Sequence, residues 1–328
     1  MKNQSLVSVT LLIIVTAIAI APHTVAENSN GLTIVVTFPF LYNDVKMLVC
    51  QGDTVISLVK PGIDPHEYQL TPSDVDVLRK ADLIVSTAHT AFEMQIENLV
   101  KSGEVKAKLV EIPRIPNITF LIHPQTGKVN YHGLLLYPKN YVSFIIYLES
   151  VLKNMRRSCA DVYKRNMDSV LTELRKLDNS TRKLTGFLAV IDVPKIQYVV
   201  KWLELNISYI LLKDEETPIT PQDYQNIEII LKTNRDVLVI GTQGSSAYDK
   251  LRELANAYGK PFLAFPNPLI YNGSLDYLKS VSQIVNSYNI TFSHTKSEGG
   301  KNFVVITITA LAVAILVIIL VFIARRSR

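Results

Sequence analysis

No His-Glu-x-x-His run occurs in the 328 residues, and the turn Gly241-Thr242-Gln243-Gly244-Ser245 lacks the pattern of a serine nucleophile elbow. These absences remove the commonest signatures of metal-dependent and serine hydrolysis. Cysteine is nearly missing too, with Cys50 and Cys159 the only two. A pair with no close histidine neighbour makes no zinc knuckle, and neither cysteine follows the N-terminal apolar segment closely enough to carry a lipid there. In an oxidising compartment the two have room for one disulfide, but spacing alone does not say whether their Cα atoms approach. Basic residues are scattered, as at Arg156-Arg157, Lys164-Arg165 and Lys183, without an aromatic-studded basic face. At a net charge of +5, nucleic acid is not an expected partner.

What is present declares itself first at the ends. Residues 1–26 read as a secretory signal peptide: Lys2, an apolar core from Leu6 to Ile20, then Thr24-Val25-Ala26 as cleavage site. An uncleaved N-terminal anchor is the competing reading. Residues 291–302 form a polar tether, and 303–324 run 22 residues without a charge, enough to cross roughly 30 Å of hydrocarbon as a transmembrane helix. Residues 325–328, with Arg325, Arg326 and Arg328, then form a cytoplasmic tail and leave the body outside the cell. A removable lipid-anchor signal competes with this, and the terminal arginines argue against it. Sequons at Asn117, Asn179, Asn206, Asn272 and Asn289 suit a glycosylated, extracytoplasmic surface.

Between the ends, strand and helix signals alternate. Apolar runs at 32–37, 54–59, 83–85 and 108–112 read as strands, with helices at 41–50 and 71–80. Alternation resumes with strands at 187–191, 208–212, 237–240 and 261–265 and helices at 196–205, 221–233, 246–258 and 275–288. Residues 141–182 contain neither proline nor glycine and carry apolar residues at helical spacing, which predicts one helix of about 60 Å. The expected fold is α/β: two parallel-sheet, Rossmann-like lobes (27–137 and 183–290) joined by a long backbone helix over 138–182. Ligands of such sheets bind beyond the carboxyl ends of the strands.

Residues with nitrogen or oxygen ligand atoms fall at those ends. His66 follows the second strand behind Pro65, and His132 precedes the long helix. Asp192 ends the strand 187–191, and Asn267 follows 261–265 between two prolines. Four such groups, two per half of the chain, are what a divalent metal between lobes requires. Glu67 and Glu93 are candidates for fixing imidazole orientation from behind. A lone histidine is more often an ordinary surface or core residue, and that bland reading stands beside the sharper one.

At these positions the chain resembles the zinc/manganese-type solute-binding proteins of ABC importers. The likeness lies in Gly62-Ile-Asp-Pro-His-Glu-Tyr68 with Thr71-Pro-Ser-Asp74 and Lys80-Ala-Asp-Leu-Ile-Val85. It continues in Pro124-Gln-Thr-Gly-Lys-Val-Asn-Tyr-His132 and Tyr137-Pro-Lys-Asn140, then in Pro194-Lys-Ile-Gln-Tyr198 and Pro266-Asn-Pro-Leu269. The resemblance implies metal ligands at His66, His132, Asp192 and Asn267, with His89 supporting the site beside Glu93. Asn267 departs from the family's usual acidic ligand, and the long histidine-rich loop of some zinc-selective members is missing; His123 is expected as a solvated loop residue. The implied function is capture of Zn²⁺ or Mn²⁺ without an organic cofactor, by a membrane-tethered monomer that delivers the ion to an ABC permease. A metal-independent adhesin or scaffold of the same fold is the alternative. A hydrolase, in which two histidines, an aspartate and an open coordination position activate water, is the remoter one.

Overall fold

The computed structural model describes residues 31–63, 66–213 and 217–288. The signal, tether, transmembrane and tail segments and the sequon at Asn289 lie outside the described residues. No helix among those described is long and apolar enough to cross a membrane.

Two four-stranded parallel sheets form the cores of two lobes. The first holds β1 (Thr33–Val36), β2 (Thr54–Ser57), β3 (Leu83–Ser86) and β4 (Lys108–Glu111) in the order β2-β1-β3-β4. A small antiparallel hairpin follows, β5 (Leu121–Ile122) with β6 (Val129–Asn130). The second lobe holds β7 (Leu188–Ile191), β8 (Asn206–Ile210), β9 (Val237–Thr242) and β10 (Phe262–Phe265) in the order β10-β9-β7-β8. Leu-Ile-Val-Ser of β3 and Val-Leu-Val-Ile-Gly-Thr of β9 are buried along their whole length, as strands covered on both faces must be.

The helices are α1 (Tyr42–Lys46), α2 (Pro72–Arg79), α3 (Ala91–Lys101), α4 (Pro138–Met155), α5 (Ala160–Ser180), α6 (Gln197–Trp202), α7 (Pro221–Thr233), α8 (Tyr248–Ala257) and α9 (Ser274–Ser287). α2 and α7 start alike. A threonine cap, Thr71 or Thr220, exchanges hydrogen bonds with an aspartate three residues on, and proline takes the first helical position. In lobe 1, Val35, Ile84 and Leu78 pack with Phe38, Phe92 and Ile96; in lobe 2, Val190 and Val239 pack with Ile227, Leu231 and Leu251.

The single long helix expected over 138–182 is in fact two. At Arg156 the backbone leaves helical geometry (φ −137°, ψ 84°), and a short turn at Arg157–Cys159 redirects the chain into α5. The two helices fold back on each other. One continuous helix would hold residues 141 and 173 about 48 Å apart. Instead both meet the first turns of α9: Tyr141 bonds Asp44, which accepts from Ser274 N, while Glu173 pairs with Lys279 at 2.8 Å. The break is made by tertiary bonds rather than a helix-breaking residue. Arg156 Nη1 donates to Gln51 O (2.9 Å) and Asp53 Oδ1 (2.8 Å), and Tyr163 Oη donates to Asp53 Oδ2 (2.8 Å). Cys159 forms a disulfide with Cys50, with Cα atoms 6.1 Å apart across a sequence separation of 109. By chain-entropy reasoning, a cross-link closing so long a loop stabilises the fold by about 4–5 kcal/mol. The helix expected at 41–50 shrinks to the short α1 behind a turn at Pro39–Leu41, and α3 and the hairpin arise where no element was expected.

Candidate metal centre

Strand order in lobe 1 reverses between β1 and β3, so a crevice opens beyond their carboxyl ends. The chain leaves β3 through Thr87 and through Ala88, whose φ of 53° turns it sharply into His89. Glu93, on the first turn of α3, anchors that turn. Its carboxylate, 2% exposed, accepts from Thr37 Oγ1 (2.7 Å), Ser86 Oγ (2.9 Å), Thr87 N (2.7 Å), Thr87 Oγ1 (2.7 Å) and His89 N (3.0 Å). Burial pushes this carboxyl upward, but the nearby His89 imidazole and the hydrogen bonds prevail and hold it below the usual range. Thr87 Oγ1 also lies 2.8 Å from His89 Nδ1. A hydroxyl has one proton, and the carboxylate takes it. When neutral, His89 Nδ1–H is then the donor to Thr87 Oγ1, the tautomer whose Nε2 carries the lone pair a metal would take.

His66 lies on the loop after β2. Two residues on, Tyr68 packs edge-on against Phe92 (5.0 Å between ring centroids) and donates to Asp74 Oδ2 (2.8 Å). His132 comes from the hairpin. Its N–H donates to Asn130 Oδ1 (2.9 Å), while Asn130 Nδ2 donates across to Pro194 O (2.9 Å) and Gln197 Oε1 (2.8 Å) of lobe 2. Tyr198 of α6 accepts from Leu121 N (3.0 Å) and donates to Asn130 O (2.6 Å). The hairpin therefore rests on lobe 2 while its histidine faces lobe 1. Gly133 makes this possible: its φ is 75°, and a Cβ there would stand 2.2 Å from Lys195 O.

The three imidazoles converge, with ring centroids 5.7 Å (His66–His89), 5.4 Å (His66–His132) and 4.9 Å (His89–His132) apart. One nitrogen from each lies within 4.8 Å of the other two, and all three residues are half-buried. Nitrogens on a tetrahedral zinc stand about 3.3 Å apart, so small side-chain movements would bring these three to that spacing. The adjoining cavity measures about 70 Å³ and is walled mainly by Phe38, Phe40, Leu135, Leu136 and Leu269. Neutral imidazoles in an apolar wall suit a borderline transition metal better than Ca²⁺ or Mg²⁺.

Asp192 is not in this group, and neither it nor Asn267 lines the adjoining cavity. Asp192 is fully buried and accepts from Thr242 N (2.6 Å) and Thr242 Oγ1 (2.9 Å), bridging the carboxyl ends of β7 and β9. Burial raises its carboxyl above the ordinary value in spite of these bonds. Asn267 Oδ1 accepts from Leu269 N (3.1 Å), and its side chain borders a separate cavity with Val193, Thr242 and Ser245. Glu67 is exposed. His123, expected as solvated, is 3% exposed in the hairpin turn, where Nδ1 accepts from Gln125 N (3.3 Å) and Thr126 N (3.4 Å). Asn117, Asn179, Asn206 and Asn272 are exposed. Sequence reasoning placed His89 in a supporting role and missed the walls Phe38, Phe40 and Tyr277 altogether. The His89…Glu93 spacing ahead of a helix was the one available signal.

A family model described as ZnuA, zinc-uptake complex component A, periplasmic, matches residues 34–289. Iron-binding protein YfeA of Yersinia pestis is 25% identical over 175 residues, 52% of this chain and 54% of that protein. Manganese ABC transporter substrate-binding lipoprotein PsaA of Streptococcus pneumoniae is 26% identical over 166 residues, 48% of this chain and 52% of that protein. The chain thus spans about half the length of these relatives. A crystal structure of ZnuA superposes with a TM-score of 0.64 at 21% identity, covering 78% of this chain and 99% of that one, a likeness of fold.

Proposed function

The chain belongs to the ZnuA family of zinc-uptake components, a family of binding proteins and not of enzymes, and on that footing we propose that it captures a divalent transition metal on His66, His89 and His132. The observation that carries the reading is the convergence of three imidazole nitrogens within 4.8 Å. With no carboxylate in that group, nitrogen donors favour Zn²⁺ over Mn²⁺, which prefers oxygen. Asp192 and Asn267, occupied elsewhere, serve the architecture of lobe 2 and not the ion. The captured ion passes to an ABC permease. Relatives such as PsaA are named lipoproteins; here both cysteines are committed to the disulfide, and the apolar segment 303–324 serves as the anchor, with the body outside the cell.

The test is calorimetric titration of the detergent-solubilised full chain with Zn²⁺ and Mn²⁺. Zn²⁺ is expected to bind with a Kd below about 1 µM. His66→Ala, His89→Ala and His132→Ala should each weaken it by about 100-fold, close to 2.7 kcal/mol, with Asn267→Ala near wild type. Undiminished binding in the three histidine variants sinks the reading.

A further inference from the structure

Lobe 2 brings no carboxylate to the histidines. Asp192 spends both oxygens on Thr242, and Asp44 reaches across from lobe 1 to the backbone N–H groups that open α9. What lobe 2 does bring is Tyr277, one turn into α9. Tyr277 is 0% exposed, lines the cavity with His66, His89 and His132, and its Oη has no hydrogen-bond partner among the described residues. Buried hydroxyls nearly always have a partner, and leaving one without costs about 1–3 kcal/mol. The ring is held edge-on against Tyr271, 5.5 Å between centroids. Burial and the neighbouring Asp192 carboxylate keep the phenol protonated, so it is a donor and not a phenolate ligand.

A donor in this cavity needs an acceptor. Three neutral imidazoles leave the full +2 charge of a metal inside apolar walls and one tetrahedral position open. A cavity of about 70 Å³ leaves room for a ligand of a few heavy atoms, since a water-sized group needs only about 10–15 Å³ of such space. Resting on the three-histidine reading, we propose that the metal is captured together with a small exogenous anion of the halide or carboxylate class, which fills the fourth position and accepts a hydrogen bond from Tyr277 Oη. The anion lowers the buried charge, and Tyr277 makes lobe 2 a sensor of the loaded state without itself binding metal.

The probe is Co²⁺, whose visible d–d bands report coordination, added to the full chain in chloride-free perchlorate buffer. In the wild type, chloride or formate should shift the bands and tighten Co²⁺ binding by about 10-fold. Tyr277→Phe should keep Co²⁺ bound and lose at least about 10-fold of the apparent anion affinity. Its metal-free melting temperature should equal or exceed the wild type's, since the hydroxyl it removes has no partner. Co²⁺ bands that ignore both anions in the wild type, or a Tyr277→Phe protein that responds like the wild type, overturn the proposal. His89→Ala separates the two readings. If it abolishes Co²⁺ binding while the wild type ignores anions, only the anion is lost. If Co²⁺ binds neither protein, or binds both alike, the metal reading falls as well.

Discussion

Asp44 is a carboxyl wholly enclosed where the lobes meet. It accepts from Tyr141 Oη (3.0 Å), Ser274 N (2.8 Å) and Leu275 N (3.4 Å). Burial raises it from 3.8 to about 6, and the hydrogen bonds from α9 and Tyr141 recover only part of the cost. Because the folded value lies above the unfolded one, the folded protein binds the extra proton. The associated stability is fully present below about pH 3.8 and is lost as pH rises through about 6. The difference amounts to at most about 3 kcal/mol. Melting temperatures of metal-free wild type and Asp44→Asn between pH 4.5 and 7.5 check this. The wild type should lose stability relative to the variant as pH rises, and parallel curves would contradict it.

At the scale of elements, the hairpin β5–β6 and its exit through Gly133 position the third imidazole. Gly133→Ala drives a Cβ into Lys195 O and forces a left-handed backbone on a residue that resists it. The variant should melt lower, by the equivalent of about 2 kcal/mol or more, and bind Zn²⁺ more weakly. Calorimetry and a thermal scan check both, and unchanged values in both would show that the lobes need not approach here. Elements made by local chemistry were legible: the Val/Ile/Leu runs of the parallel strands, and the Thr-Pro-x-Asp starts of α2 and α7. The α4–α5 break was not, because Arg156 stops the helix only by reaching Asp53, over a hundred residues away. The hairpin's strands, two residues each, are too short to show any period. His66 and His132 were singled out by their motifs, and the structure brings them together with His89. His89 could be assigned only once Glu93 and Thr87 fixed its ring, and Tyr277 has no meaning in sequence apart from the cavity it closes.

At the scale of the whole molecule, the apolar segment 303–324, proposed as the anchor, can be tested apart from the body. If the segment anchors the protein, the full chain stays with membranes through an alkaline carbonate wash, while a chain ending at residue 302 is released in folded form. Release of both would return the anchor to the N-terminal segment or to a partner. Within the body, the hairpin has a consequence for time rather than affinity. Asn130 and Tyr198 tie it to lobe 2, so on the proposed three-histidine site any separation of the lobes would carry His132 away and leave the ion on two imidazoles. Departure of an ion so held would begin with a defined half-released species, and its lifetime would follow how often the lobes part, not the rupture of all three bonds at once.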